Sequence, residues 1–413
     1  MFPIMQIGPL AIQSAGFILL ICIIVGLYVT TKFSEELGTN NDSIENGFII
    51  LFGVFIISAR LGFVLQNPAT FIENPEQIFS LSTITINISF GILMSTITAI
   101  ILAQRNHLPL FPTLDTFTPF LILLFIGINL ANLANGDAFG LPTQLPWGIE
   151  LWGAKRHPVQ LYSLIFVICY IIVMSIITKG LKQTGFIQSG ILFAITVGVI
   201  ALITIFSRAF VSEKILLGSM DLFQLVGLFG IIFCFFFIYQ KLFHPNRHTE
   251  VVLSLGSNKN PQKNLSKGIE KLKSKYKVTL TSSIYQTQAV KTTNETQKYL
   301  NQTVEIITDN PFSTLRKQLK IIEQECGRVP GNKKVVPLDI DIITFGDQVF
   351  TYRGKKIPDP DLSKYHYIAQ PLAEMAPNFR HPATGQTIQK LIRQINDNSQ
   401  ITKFEEVENG TKG

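Results

Sequence analysis

The sequence predicts a two-part chain: an all-α polytopic membrane domain of seven transmembrane helices, followed by an α+β soluble domain. Three observations predict it. Residues 1–245 carry 10 Lys/Arg and 11 Asp/Glu while residues 246–413 carry 25 and 17, so the net +7 is a C-terminal +8 set against an N-terminal −1. The first half holds recurrent, nearly uncharged runs, each long enough to cross ~30 Å of hydrocarbon as a helix. At "YQKLFHPNRHTE", residues 239–250, charge, proline and histidine arrive together, and short apolar strands between amphipathic helices follow. These place a membrane domain at 1–243, a linker at 244–249, a soluble domain at 250–395 and a polar tail at 396–413.

The seven expected spans are Leu10–Thr30, Gly47–Gln66, Ile84–Ala103, Phe117–Asn132, Val159–Thr178, Phe186–Phe206 and Met220–Gln240. The first is no cleavable signal, because no basic segment precedes it and further spans follow. With the N-terminus outside, the inner segments hold Lys32, Arg105, Lys179, Lys182, Lys241 and Arg247, and the outer ones Lys155, Arg156, Arg208 and Lys214. That bias sets the C-terminal domain on the cytoplasmic side of a bacterial inner membrane. Cys22, Cys169 and Cys234 lie in apolar runs and Cys326 stands apart, a pattern with neither disulfide nor metal spacing. No basic run is interleaved with aromatics, which argues against nucleic acid as a partner.

The loop after the fourth span reads "NLANLANGDAFGLPTQLPWGIEL" and is followed by "RHPVQLY". This stretch resembles the signature region of prolipoprotein diacylglyceryl transferases, seven-span enzymes that move diacylglycerol from phosphatidylglycerol to a cysteine. The resemblance implies candidate site residues at Asn132, Asn135, Asp137, Arg156, His157 and Arg208. The chain departs from the family pattern: Gly91 stands in the place of a third-span histidine, Asn129 in that of an arginine, and Asp137 in that of a glutamate. Ala201 and Ile205 replace a later Arg and Glu. The resemblance is thus to a degenerate member. Arg156, His157 and Arg208 would serve either as the remaining charges of a lipid site or as interfacial anchors.

In the second half, "EVVLSLGSN" reads as an apolar strand ending in a turn, and "PQKNLSKGIEKLKSK" puts Leu265, Ile269 and Leu272 on one helical stripe. Further strands are expected at Val278–Ile284, Thr303–Ile307 and Leu338–Phe345, with a helix at Pro311–Glu325. The interleaving suggests a ferredoxin-like sheet with helices on one face. Neither GxxxxGK[ST] nor a post-strand GxGxxG occurs.

Within "VVPLDIDII", Asp339 and Asp341 project to one face of a strand while Leu338, Ile340 and Ile342 pack behind. Two carboxylates so close repel, and a divalent cation relieves the repulsion. Mg²⁺ at nucleotide sites is held by one or two carboxylates together with phosphate oxygens. The alternative is a solvent-facing edge whose acids pair with Lys333 and Lys334.

Six motifs occur in one order: "LGSN" at 255–258, "SSIYQTQAV" at 282–290, "KYLNQTV" at 298–304, "IEQECGR" at 322–328, "PLDIDIITFGD" at 337–347 and "PLAEMAP" at 371–377. Together they resemble 6-hydroxymethyl-7,8-dihydropterin pyrophosphokinase, the folate-pathway enzyme that passes pyrophosphate from ATP to a pterin. The resemblance implies that Asp339 and Asp341 bind two Mg²⁺ ions, with Arg328 beside them as a catalytic residue. It implies a pterin pocket of Thr287, Val290, Tyr299, Asn301 and Tyr367, and nucleotide contacts from Glu323 and Ile342, while Lys333, Lys334, Lys364 and His366 sit close enough in sequence to substitute at the nucleotide for arginines that this chain lacks. Here Val336 and Asp359 stand where that family commonly has an arginine and a histidine, and Tyr365 where it has another arginine. The expected function is therefore Mg²⁺-dependent pyrophosphate transfer from ATP to the pterin by a membrane-anchored enzyme. The alternatives are diacylglyceryl transfer by the first half, alone or as a bifunctional fusion, and a non-enzymatic scaffold joined to a ligand-binding module.

Overall fold

A computed structural model describes residues 4–7, 10–37, 39, 41–73, 75–79, 86–184, 189–243, 248–288, 298–329, 331, 334–396 and 401–404. The chain forms two compact units that part after Phe243.

Among the described residues, seven helices of the first unit are long and apolar enough to cross a membrane. They are α1 (Ser14–Leu37), α2 (Asn41–Gln66), α3 (Ile88–Arg105), α4 (Thr118–Asn135), α5 (Val159–Thr184), α6 (Ile191–Arg208) and α7 (Leu222–Phe243). Their number agrees with the hydropathy reading, and polar caps move the ends. Leu10–Gln13 pairs as a strand with Ile4–Ile7, so α1 begins at Ser14. Asn87 accepts the Phe90 N–H and starts α3, Gly136 closes α4 in the left-handed region, and Asp221 accepts the Phe223 and Gln224 N–H groups at the head of α7. Hydropathy cannot see such caps.

Among these helices α1 packs on α4, α2 on α3 and α6 on α7. Small residues permit the close approaches, as expected where lipid offers apolar side chains no reason to leave it. Many large apolar side chains, such as Ile24, Leu65 and Phe235, face outward.

Among the described residues, the second unit is built on a six-stranded antiparallel sheet. Its elements run β1 (Thr249–Ser257), α8 (Pro261–Lys275), β2 (Lys277–Thr281), β3 (Tyr285–Gln288), β4 (Lys298–Thr308), α9 (Phe312–Glu325) and β5 (Asp339–Phe345). The spatial order is β5-β1-β4-β3, with β2 also on β4. A hairpin follows, β6 (Phe350–Tyr352) with β7 (Lys355–Ile357), then α10 (His366–Met375) and α11 (Ile388–Gln394). Ile401–Lys403, expected in a polar tail, adds strand β8 to β3 instead. Its alternating Ile-Thr-Lys suits an edge strand.

Strand alternation divides the sheet into two faces. Leu253, Leu255, Val304, Ile340 and Ile342 bury one face with Leu265, Leu272, Leu315, Leu319 and Ile322 of α8 and α9. The other is apolar only at one end, where Val252 and Ile343 meet Leu362, Ile368, Leu372, Ile388 and Leu391. Its remaining part is polar and carries the candidate site.

Candidate active site

The cross-strand register sets Asp339 beside Gly256 and Gly256 beside Asn301, while Asp341 lies beside Ser254 and Ser254 beside Thr303. Directly paired residues share a face. Both acids, Asn301 and Tyr299 therefore lie on one polar surface, with Thr287 opposite Tyr299 on β3. Asn301 donates to the Thr287 hydroxyl at 2.7 Å, and both are buried. A Cβ at Gly256 would stand 3.2 Å from Asn301 Oδ1. The glycine leaves an open strip between the carboxylates and the amide.

Asp339 and Asp341 keep 38% and 47% of their side-chain surface. Asp341 Oδ1 takes a hydrogen bond from Lys355 at 2.7 Å, and the same ammonium lies 3.3 Å from Asp359. Asp339 is approached more loosely, by Lys320 at 3.7 Å and Arg328 at 3.9 Å. Burial works against the Lys355 charge, yet Asp341 and Asp359 together hold its pKa above the usual lysine value. A cleft at the sheet edge is lined by Arg316, Lys320, Asp341, Ile342 and Lys355.

Asn258 fastens the approach to these acids. Its side chain accepts from Val336 N–H at 2.7 Å and donates to the Lys334 carbonyl at 3.0 Å. Burial pushes the Tyr299 phenol up, opposed by its hydrogen bond with Asn258 and by Arg328. Tyr365 and Tyr367 stack, with ring centroids 5.4 Å apart. Burial, then the charges of Asp361, Asp341 and Asp359, drive the Tyr367 pKa far up, so it stays a neutral phenol.

The structure thus brings Asp339, Asp341, Arg328, Tyr299, Asn301, Thr287 and Tyr367 to one region. Two of the expected nucleotide contacts, Glu323 and Ile342, are also engaged by the protein itself. Glu323 is buried behind the strand, accepts the Ile340 N–H at 2.8 Å and binds Lys320, so it fastens β5; its pKa is raised by burial. Ile342 has the parity of the core, and its side chain packs there while the residue borders the cleft. Lys364 is exposed at the end of the Pro360–Ser363 turn, and His366 opens α10. Val290 and Lys333 lie outside the described residues. Sequence reasoning missed Lys355, Lys320, Gly256 and Asn258. For the last two the signal was the "LGSN" turn at the end of an apolar strand.

In the first unit the candidates are engaged by the protein itself. The Arg156 guanidinium donates to the Leu151 and Gly140 carbonyls and lies over the Phe139 ring. Arg208 grips Asp221 through Nε and Nη2, closest at 2.6 Å, and this partner with the two helix N–H groups holds the Asp221 carboxyl below its usual range despite burial. His157 Nδ1 is 3.1 Å from the Tyr162 hydroxyl, which also accepts from Trp147. Asn135 donates to Asp137, and the Asn132 carbonyl accepts the Gly136 and Asp137 N–H groups. A Cβ at Gly91 would already lie 2.9 Å from Ala59 and Phe55. The helix crossing leaves no room for an imidazole there.

Fold and site define a polytopic membrane protein of two parts, a seven-helix unit and a sheet domain with paired acids. Residues 3–240 match the family model of prolipoprotein diacylglyceryl transferase, and residues 252–377 that of 7,8-dihydro-6-hydroxymethylpterin-pyrophosphokinase. The chain belongs to the prolipoprotein diacylglyceryl transferase family and carries a pyrophosphokinase domain after it.

Among its relatives is the phosphatidylglycerol–prolipoprotein diacylglyceryl transferase of Trichormus variabilis, 25% identical over 239 residues, covering 55% of this chain and 85% of the relative. That of Clostridioides difficile is 28% identical over 229 residues, covering 52% and 85%. A solved structure of Plasmodium falciparum HPPK-DHPS with pterin and p-hydroxybenzoate is similar at 18% identity and a TM-score of 0.28, over 36% of this chain and 42% of that one. The chain spans less than half of that protein, and a score so low carries no functional argument.

Proposed function

We propose that the second unit transfers pyrophosphate from ATP to 6-hydroxymethyl-7,8-dihydropterin at the cytoplasmic face of the bacterial inner membrane, with the first unit as its multi-pass anchor. One observation carries this reading: a half-open acid pair shares a sheet face with the Asn301–Thr287 pair, and a glycine separates them.

The acids suit Mg²⁺. They are partly exposed and share a face, and among the described residues no set of three or more His, Cys, Asp and Glu side chains forms a cage. Such a donor set would leave positions for phosphate oxygens and water. Bound there, Mg²⁺ would neutralise phosphate charge as it shifts toward the leaving group.

The chain's own residues bind and orient. The buried Asn301 amide and Thr287 hydroxyl read the donor and acceptor edge of the pterin, and Tyr299 and Tyr367 flank its ring. Lys355, Lys320 and Arg316 border the cleft in which the triphosphate lies. The hydroxymethyl oxygen attacks the β-phosphorus, the bond from that phosphorus to the α,β-bridging oxygen breaks, AMP leaves with that oxygen, and the hydroxyl proton passes to solvent. Alignment and charge stabilisation do most of the work in such transfers. Mass spectrometry of a reaction of the intact chain in detergent, with Mg-ATP and the pterin, tests this. The expected product is the pterin carrying two phosphates.

Family membership favours a second reading, diacylglyceryl transfer from phosphatidylglycerol by the first unit. The crowded Gly91 and the engaged Arg156 and Arg208 weigh against it. Rescue of a transferase-deficient bacterium by the whole chain would establish it.

A further inference from the structure

The two acids are not held alike. Asp341 has an ammonium directly upon it, whereas the cations near Asp339 stand off at 3.7 and 3.9 Å. Lys355 extends from β7 of a hairpin packed beside the sheet-edge strand β5, and it borders the same cleft as Asp341, Lys320 and Arg316. Its second partner, Asp359, is anchored in turn, since Asp359 Oδ1 accepts the Asp361 N–H at 3.0 Å and caps the following turn.

A divalent ion that needs Asp341 Oδ1 must compete with Lys355 for it. A flexible four-carbon stem allows the ammonium to move, while Asp359 keeps it from leaving the cleft. A displaced ammonium at that place would meet the phosphate oxygens that accompany the metal.

We propose that Lys355 is a displaceable cation, which occupies Asp341 in the resting protein and passes to the polyphosphate of the nucleotide when a divalent metal replaces it. The proposal rests on the pyrophosphokinase reading. It adds a lysine fourteen residues beyond its carboxylate as the group that couples metal entry to nucleotide binding.

The test uses the intact chain in nanodiscs, with Mn²⁺ alone followed by electron paramagnetic resonance and α,β-methylene ATP with Mg²⁺ followed by calorimetry. Lys355→Met should bind Mn²⁺ alone about tenfold more tightly, because its competitor is gone. The same variant should bind the analogue about tenfold more weakly, because a charge-assisted contact is lost. If both ligands bind more tightly, Lys355 only blocks the site. If neither changes, or both weaken, it is a structural tie of the hairpin. Either outcome overturns the proposal.

Asp359→Asn keeps the cap acceptor and leaves the lysine to Asp341 alone, so Mn²⁺ should bind about threefold more weakly. Unchanged or tighter Mn²⁺ binding there also overturns the proposal, and this variant carries the test should Lys355→Met not fold. If the unaltered chain binds no analogue, the pyrophosphokinase reading fails, and the two Mn²⁺ measurements still decide whether Lys355 yields Asp341 to a metal.

Discussion

Arg208 of the membrane unit and Asp339 of the soluble unit both face opposite charge, yet they stand in different situations. Arg208 closes on Asp221 at 2.6 Å, and Asp221 in turn caps a helix, so every charge has a structural partner. Asp339 keeps 38% of its side-chain surface, and among the described residues Lys320 and Arg328 approach it only to 3.7 and 3.9 Å. The same contrast runs through Arg156, which binds backbone carbonyls, and Asp341, which keeps 47% of its side-chain surface and takes a hydrogen bond from the Lys355 side chain. A charge built into the scaffold stabilises the fold, and a charge left half-solvated can bind something. Charged residues near the membrane face are therefore not functional merely because they are costly to bury.

Substitutions can break that comparison. The largest effect expected is on turnover. Asp341→Ala should lower AMP formation by about 10²- to 10³-fold, since a group that organises phosphate charge is lost, while the melting temperature stays within a few degrees. A large fall in stability would show the acid to be structural. Arg208→Ala is the mirror case. It should destabilise the membrane unit by about 2 kcal/mol, because Asp221 is left buried without its cation, and leave pyrophosphate transfer unchanged. Thermal unfolding in detergent, measured beside AMP release, separates the two.

A smaller effect sharpens the contrast within the soluble unit. Gly256→Ala places a methyl group 3.2 Å from Asn301 Oδ1, and Asn301 is tethered to Thr287, so it cannot easily retreat. The pterin KM should rise by roughly tenfold, with kcat changed less, as when binding contacts are lost. Equal loss in both would move Asn301 into the reacting group.

A further effect is a dependence of stability on pH. His381 is buried, its Nδ1 accepts the Ala383 and Thr384 N–H groups, and burial lowers its pKa from 6.5 to about 4. The unfolded chain then binds the proton more readily than the folded one. The contribution is fully present above pH 6.5 and is lost as pH falls from there toward 4. Denaturant titrations should show this slope, and His381→Gln should remove most of it.

Much of this was legible in the sequence for physical reasons. A helix crossing lipid must be apolar over its length, so hydropathy located seven spans, while caps such as Asn87 and Asp221 moved the ends by several residues. Strand alternation placed Asp339 and Asp341 on one face, because that depends on nothing but spacing. The partners of those acids could not be read, because folding brings Lys355 to Asp341 through a hairpin, and Lys320 to Asp339 from α9. Glu323 was expected near the nucleotide from the family resemblance, and its buried bond to the Ile340 N–H, which also holds β5, could not be read from the sequence. Ile401–Lys403, within the stretch expected as a polar tail, pairs with the edge of β3, and nothing in so short a run announces that strand.

The most direct test is the nucleotide product formed by the intact chain from Mg-ATP in the presence and absence of 6-hydroxymethyl-7,8-dihydropterin. The account predicts AMP, formed only with the pterin present and abolished when Asp339→Ala and Asp341→Ala are combined. ADP in place of AMP, no pterin-dependent product from folded protein, or AMP formation that survives the double substitution would contradict it.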